Sequence, residues 1–369
     1  MKVIVTGLRG LPGVMGGVES HCEELLPRLH ALRPDFDITV IGRSPYVGSK
    51  AYSYRDIRVR PLPAPRSPSS EAIVSTALGV LYAWLKGADL LHIHAIGPGM
   101  MTPVARLLGL PVVVTYHSRN YEHGKWSRFA RFMLRRGEAL SMSFADKIIV
   151  VAPWLLDALA RAYPQHASKL ICIPNGVPEM PPDEDRPQAI DGLGTGYILA
   201  VGRIVPEKGF DYLVDAVLRA KPARKLAIVG DADHESEYAR SLMRRANDQI
   251  RFVGRQPRTA LKRIYENAAL FVLPSFHEGL PISALEAASC GIPMILSDIP
   301  ANRDLGLPDR NYFPAGDEAE LRKRLNEEPA RFETDYRQLT SRFDWDSSAS
   351  ATAEIYRAVA KRRRPNNRS

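Results

Sequence analysis

Cysteine is scarce in this sequence. The 369 residues hold three, Cys22, Cys172 and Cys290. An odd number set far apart excludes a disulfide framework and a cysteine-rich metal cluster, and reads as reduced thiols of a cytoplasmic chain. Long apolar runs are missing too. No stretch reaches the roughly 18–20 apolar residues of a membrane span; the longest approach, Ile73 to Leu91, is broken by Lys86 and Asp89. No signal peptide is expected, because the apolar run after Lys2 is short and no cleavage site follows it. Gly10 to Gly17 lacks the Gly-Lys-Ser/Thr ending of a P-loop, which argues against a kinase or NTPase. Internal repeats at the short periods of solenoid proteins are also lacking.

What is present is an ordinary soluble balance, 45% hydrophobic and 25% charged, at a length that suits two domains. The net charge of +9 is uneven. Residues 1–180 hold 21 Lys and Arg against 13 Asp and Glu, or +8, whereas residues 181–369 hold 29 against 28, or +1. A basic first half points to an anionic partner: nucleic acid, an anionic membrane surface or an acidic substrate.

Short β-branched runs recur along the chain. Lys2 to Thr6 ends in a glycine-rich segment, Gly7 to Gly17, and a helical pattern follows from Val18 to Leu32. This is strand, loop, helix. Further strands are expected at Ile38–Ile41, Leu90–His94, Val112–Tyr116 and Lys147–Val151. The proline-rich stretch Pro174 to Gly196 reads as a linker. A second series follows, with strands at Tyr197–Val201, Lys225–Val229, Ile250–Val253, Leu270–Leu273 and Pro293–Leu296. Alternating strands and helices predict two α/β domains, each with a parallel sheet. The boundaries are placed at 1–178, 179–345 and 346–369, the last a helix over about 347–360 with a basic tail.

The second series carries the strongest signal. Gly202-Arg203-Ile204-Val205-Pro206-Glu207-Lys208-Gly209 sets two cations at the carboxyl end of a strand, before a helix. Ligands of open α/β sheets bind at that end, and a helix N-terminus favours anions, so Arg203 and Lys208 suit a diphosphate. After a later strand come Glu278, Gly279, Leu280 and Pro281, then a helix with Glu286. The two carboxylates are about two turns apart and could accept hydrogen bonds from sugar or ribose hydroxyls. Glu286 lies among Leu285, Ala287 and Ala288, where a solvent-facing part fits poorly.

Arg203-x4-Lys208, Glu278-Gly279-Leu280-Pro281 and the Glu278-x7-Glu286 spacing resemble the retaining glycosyltransferases of family 4. The resemblance runs over nearly the whole chain: Gly16-Gly17 with Glu19, Leu91–His94, Val114–His117 and Pro174–Val177 are similar to successive segments of that family. It implies the GT-B fold, two Rossmann-like domains with parallel sheets facing a central cleft. It implies a nucleoside diphosphate sugar as co-substrate, no metal and no other cofactor, and no nucleic acid partner. Arg203 and Lys208 would hold the donor diphosphate, Glu286 the ribose, Glu278 the transferred sugar, and Arg255 would lie near the base. Gly16 and Gly17 would let the backbone approach the diphosphate, and Gly279, Leu280 and Pro281 would line it. His117 would sit beside the donor sugar. Retention follows from same-face attack, so no covalent nucleophile is assigned. The implied activity is transfer of a hexosyl or deoxyhexosyl unit to a glycan or lipid-linked acceptor in cell-surface polysaccharide synthesis. The alternatives are a non-catalytic nucleotide-sugar-binding module and an epimerase of the same fold.

On the acceptor side the expected residues are Glu19, His94, Arg119, Lys125 and Trp126. A Lys-Trp after the histidine resembles a bacterial subgroup of polysaccharide assembly, although Ser118 stands where that subgroup has glycine. Tyr121 to Met142 interleaves arginines with aromatics, a pattern of interfacial helices. With the +8 half-chain it predicts a peripheral contact with the inner face of the plasma membrane. Two metal motifs are discounted. Asp231-Ala232-Asp233 reads as loop chemistry by its position, and His92 and His94 are read as pointing apart on one strand.

Overall fold

Runs such as Val3-Ile4-Val5 are apolar at every position, which suits strands covered on both faces. The computed structural model bears this out. It describes every residue except 15, 66–69, 120, 122–126, 178–192, 233–235 and 362–369. The chain divides into two units, residues 1–176 with the segment from Asp344 onward, and Val177–Phe343.

In the first unit the described strands are β1 (Lys2–Thr6), β2 (Asp37–Arg43), β3 (Tyr52–Tyr54), β4 (Ile57–Leu62), β5 (Leu90–His94), β6 (Val112–Tyr116), β7 (Lys147–Val150) and β8 (Leu170–Cys172). They lie in the order β3-β4-β2-β1-β5-β6-β7-β8, parallel except for β3, which pairs antiparallel with β4. Successive residues of β1 feed different cores. Val3 and Val5 pack with Leu25, Leu26 and Leu29 of the helix Gly17–Leu32, while Ile4 packs with Leu91, Ile93, Val112 and Val114. The last helix, Trp345–Lys361, belongs to this unit. Its Trp345, Ala349, Ala353, Tyr356 and Val359 recur at helical spacing and enter the same core as Val3 and Val5.

In the second unit the strands are β9 (Tyr197–Val201), β10 (Leu226–Val229), β11 (Ile250–Gly254), β12 (Ala268–Leu273), β13 (Met294–Ser297) and β14 (Tyr312–Phe313). Their order is β11-β10-β9-β12-β13-β14, all parallel. This is the doubly wound arrangement, with its direction of winding reversing between β9 and β12. In the first unit the reversal falls between β1 and β5. The loops that leave these strand ends are where an open parallel sheet places its ligands. No helix among the described residues is long and apolar enough to cross a membrane. The stretch Ile73 to Leu91 is a helix ending at Leu85 followed by β5, with Asp89 accepting from the Lys2 backbone N–H at 2.7 Å.

Candidate functional site

In the second unit two loops leave the same end of the sheet. One runs from β9 through Arg203 and a short turn, Pro206–Lys208, into the helix Phe210–Ala220. The other runs from β12 through Glu278 into the helix Ile282–Ser289. The Phe276 N–H donates to the Glu207 carbonyl at 2.9 Å, and the Tyr212 hydroxyl donates to the Pro274 carbonyl at 2.8 Å. Gly209, at φ +66°, lets the loops touch: a Cβ there would lie 2.3 Å from that Pro274 oxygen.

The loops bring together residues 70 apart in sequence. Lys208 Nζ donates to Glu278 Oε1 at 2.6 Å, and Ser275 Oγ donates to the same oxygen at 2.6 Å. The side chains are 15% and 8% exposed, so the pair is held largely out of water, where charges act strongly. Among the described residues no donor reaches Glu278 Oε2. Glu286 is buried, and its Oε2 accepts from the Tyr265 hydroxyl at 2.8 Å. Burial first, and the Glu286 charge second, push the Tyr265 phenol well up, so it stays a proton donor. Gly279 is half-buried, Leu280 and Pro281 are buried, and the helix begins at the next residue. Arg203 is half-buried on the β9 loop. Arg255 is exposed at the end of β11, the edge strand two places from β9. Asp231 is exposed and accepts from its own loop, the Ala232 N–H, at 2.7 Å; Asp233 lies outside the described residues.

In the first unit the glycine-rich loop is pinned from within. Glu19 is buried, and it accepts from the Arg9 backbone N–H at 2.9 Å and from Arg9 Nε at 3.1 Å. Gly16 precedes the first helix and accepts from the Ser20 N–H at 2.9 Å, and Gly17 is its exposed first residue. Beside this loop four imidazoles gather. His94 ends β5, His117 follows β6, His92 lies two residues before His94, and His21 comes from the helix Gly17–Leu32.

The expectation that His92 and His94 point apart is corrected. Residues two apart on a strand share a face, and the ring centroids lie 4.1 Å apart. His94 Nδ1 is 3.1 Å from His117 Nε2, and His21 Nδ1 is 2.6 Å from Asn175 Oδ1. His92 bonds to Thr115 Oγ1 at 2.7 Å and to the Tyr356 hydroxyl. Burial lowers the pKa of His21 to about 4 and of His92 to about 3. Burial, then neighbouring histidines, holds His94 and His117 well below the usual imidazole range. All four rings are therefore uncharged at neutral pH. His94 is fully buried, while His117 is partly exposed. Arg119, half-buried, follows His117 by two residues. Lys125 and Trp126 lie outside the described residues.

Sequence reasoning missed Ser275, Tyr265, His21 and Asn175. The first two act from turns and helices around the glutamates, and no motif marks them. His21 is one of several polar residues in the helix Gly17–Leu32, and its spacing does not set it apart from Glu19, Glu23 or Glu24. Asn175 stood in the quoted segment Pro174–Val177, and its tie to a ring 154 residues away is visible only after folding.

A family model described as Glycosyltransferase Family 4 matches residues 15–179, and one described as Glycosyl transferases group 1 matches residues 183–327. The chain is 26% identical over 408 residues to the glycogen synthase of Mycobacterium tuberculosis, covering 98% of this chain and 95% of that one. Among solved structures it is similar to the sucrose-phosphate synthase of Thermosynechococcus elongatus, at a TM-score of 0.80, 22% identity and 98% and 99% coverage. It is also similar to Anabaena HepE in complex with UDP-glucose, at a TM-score of 0.68, 18% identity and 98% coverage of each chain.

Proposed function

The chain belongs to the family 4 glycosyltransferases of GT-B fold, and from that premise we propose that it moves a hexosyl or deoxyhexosyl unit, with retention, from a nucleoside diphosphate sugar to a glycan or lipid-linked acceptor. The observation that carries the reading is the Lys208–Glu278 pair, 2.6 Å apart where the β9 and β12 loops meet.

When the donor bond breaks, negative charge gathers on the leaving diphosphate. Lys208 and Arg203 supply fixed positive charge there, which lowers the barrier because it is already in place. Glu278 holds Lys208 before the donor arrives, and Ser275 holds Glu278. Its Oε2 then serves a hydroxyl of the transferred sugar. Glu286, oriented by Tyr265, takes the ribose hydroxyls, and Arg255 lies towards the base. Gly279, Leu280 and Pro281 line the diphosphate with the start of the helix Ile282–Ser289. Gly16 and Gly17 leave room for the diphosphate in the first unit's loop. His117 keeps the donor-sugar role that the family resemblance implies, and Glu19, His94 and Arg119 belong to the acceptor side. The diphosphate oxygen that departs takes the acceptor proton on the same face, so the anomeric configuration is retained. The cations do this work without a metal ion, and chelation does not lower the rate.

A peripheral membrane contact is part of the proposal. The helix Arg128–Phe144 exposes Phe129 and Phe132, 72% and 51%, and the Arg136 guanidinium stands over the Phe132 ring at 5.0 Å. Exposed aromatics beside cations suit the headgroup region of an anionic bilayer, where a lipid-linked acceptor of cell-surface polysaccharide synthesis resides.

Lys208→Ala and Glu286→Ala test the reading. Each lowers nucleoside diphosphate release by at least about 100-fold while circular dichroism shows a folded chain. Full activity in either variant overturns it, and nucleotide binding without turnover across a broad donor and acceptor panel favours a binding module. A thermal-shift screen over UDP, GDP, dTDP and ADP identifies the base, because a ligand that binds only the folded state raises its stability.

A further inference from the structure

We propose that His21, His94 and His117 form a binding site for a divalent transition ion of the zinc class. One ring nitrogen from each lies within 4.8 Å of the others. Zinc bound by three imidazoles has Zn–N bonds of about 2.0–2.1 Å, which puts the nitrogens roughly 3.3 Å apart. His94 and His117 are already at 3.1 Å, and with all separations within 4.8 Å no pair has to close by more than about 1.5 Å.

His21 is prepared as a ligand. Its Nδ1 faces the Asn175 amide oxygen at 2.6 Å. An amide oxygen only accepts, so Nδ1 carries the proton and Nε2 carries the lone pair. That Nε2 is buried with no hydrogen-bond partner among the described residues, and His21 itself is 4% exposed. A metal-bound histidine commonly donates its other N–H to a carbonyl in this way. A buried acceptor without a donor is otherwise costly. One further fact suits a cation. His117 is partly exposed and gives the ion a way in. The donors are all nitrogen, which selects zinc, copper or nickel over magnesium or calcium.

A consequence for activity rests on the proposed role of His117. An ion that takes the lone pair of His117 withdraws that ring from the donor sugar, so zinc inhibits transfer and a chelator restores it.

The test uses the full chain, stripped with a chelator and dialysed against zinc chloride alone, without substrate. About one zinc per chain is expected, with an X-ray absorption shell of nitrogen near 2.0–2.1 Å. His21→Asn and His94→Asn each weaken binding on the order of 100-fold, and Asn175→Leu by about 10-fold. The three variants act at different positions, so one that fails to fold leaves the other two to decide. No zinc above the level of a buffer blank, or equal binding in the folded variants, overturns the site. Zinc bound without loss of transfer supports the site and instead overturns the role given to His117.

Discussion

Glu286 is a buried carboxylate whose Oε2 is met by the Tyr265 hydroxyl. Tyr265→Phe keeps the ring and removes that donor. Hydrogen bonds to charged groups contribute about 1.5–3 kcal/mol, so the second unit melts earlier, and KM for the donor rises more than kcat falls. An unchanged melting temperature with unchanged KM refutes this tie. Gly209 and Gly291 have nearly the same left-handed backbone, φ +66° and +71°, but different surroundings. A Cβ at Gly209 meets the Pro274 carbonyl, whereas none of the described residues lies within 4 Å of one at Gly291. Gly291→Ala therefore carries only the backbone strain, roughly 1 kcal/mol. Gly209→Ala adds a clash that parts the two loops, lowering both stability and transfer. Equal effects in denaturant unfolding and in rate would show that the loop contact is unimportant.

At the scale of elements, the helix Arg128–Phe144 holds its place through its second half, where Gly137, Glu138, Ser141 and Met142 are buried. The first half carries the exposed Phe129 and Phe132. Pelleting with anionic vesicles is expected to fall when Phe129 and Phe132 become Ser, and to fall again when Arg128, Arg131, Arg135 and Arg136 become Glu. Juxtamembrane cations contribute about 1 kcal/mol each. Equal pelleting with neutral and anionic vesicles removes the membrane contact. Strands were legible to different degrees. The central parallel strands were plain because both faces are buried and the apolar runs are continuous. Four peripheral strands were not read. β3 and β14 have three and two residues. β4 alternates Ile57 and Val59 with Arg58 and Arg60 and contains Pro61, and β8 has only three residues after a turn.

At the scale of the whole molecule, Trp345–Lys361 follows the second unit in sequence and completes the core of the first. Tyr356 is fully buried there and bonds to His92. Tyr356→Ala is expected to cost about 3–5 kcal/mol. Hydrogen exchange should locate the loss in β1, β5 and β6 and leave β9 and β12 protected. Uniform loss across both sheets, or none, contradicts the assignment of this helix to the first core.

The sequence by itself carried the family resemblance and the two α/β units and pointed to the Arg203, Lys208, Glu278 and Glu286 set, because motifs and strands are local: apolar runs make strands, and loops at strand ends carry polar residues at fixed offsets. Tertiary structure decided what those residues touch. Lys208 meets Glu278 only because β9 and β12, distant in sequence, are neighbours in the sheet. Glu19 turns to Arg9, and His21, His94 and His117 converge from a helix and two strand ends. No periodicity encodes such meetings, since they follow from sheet order and register.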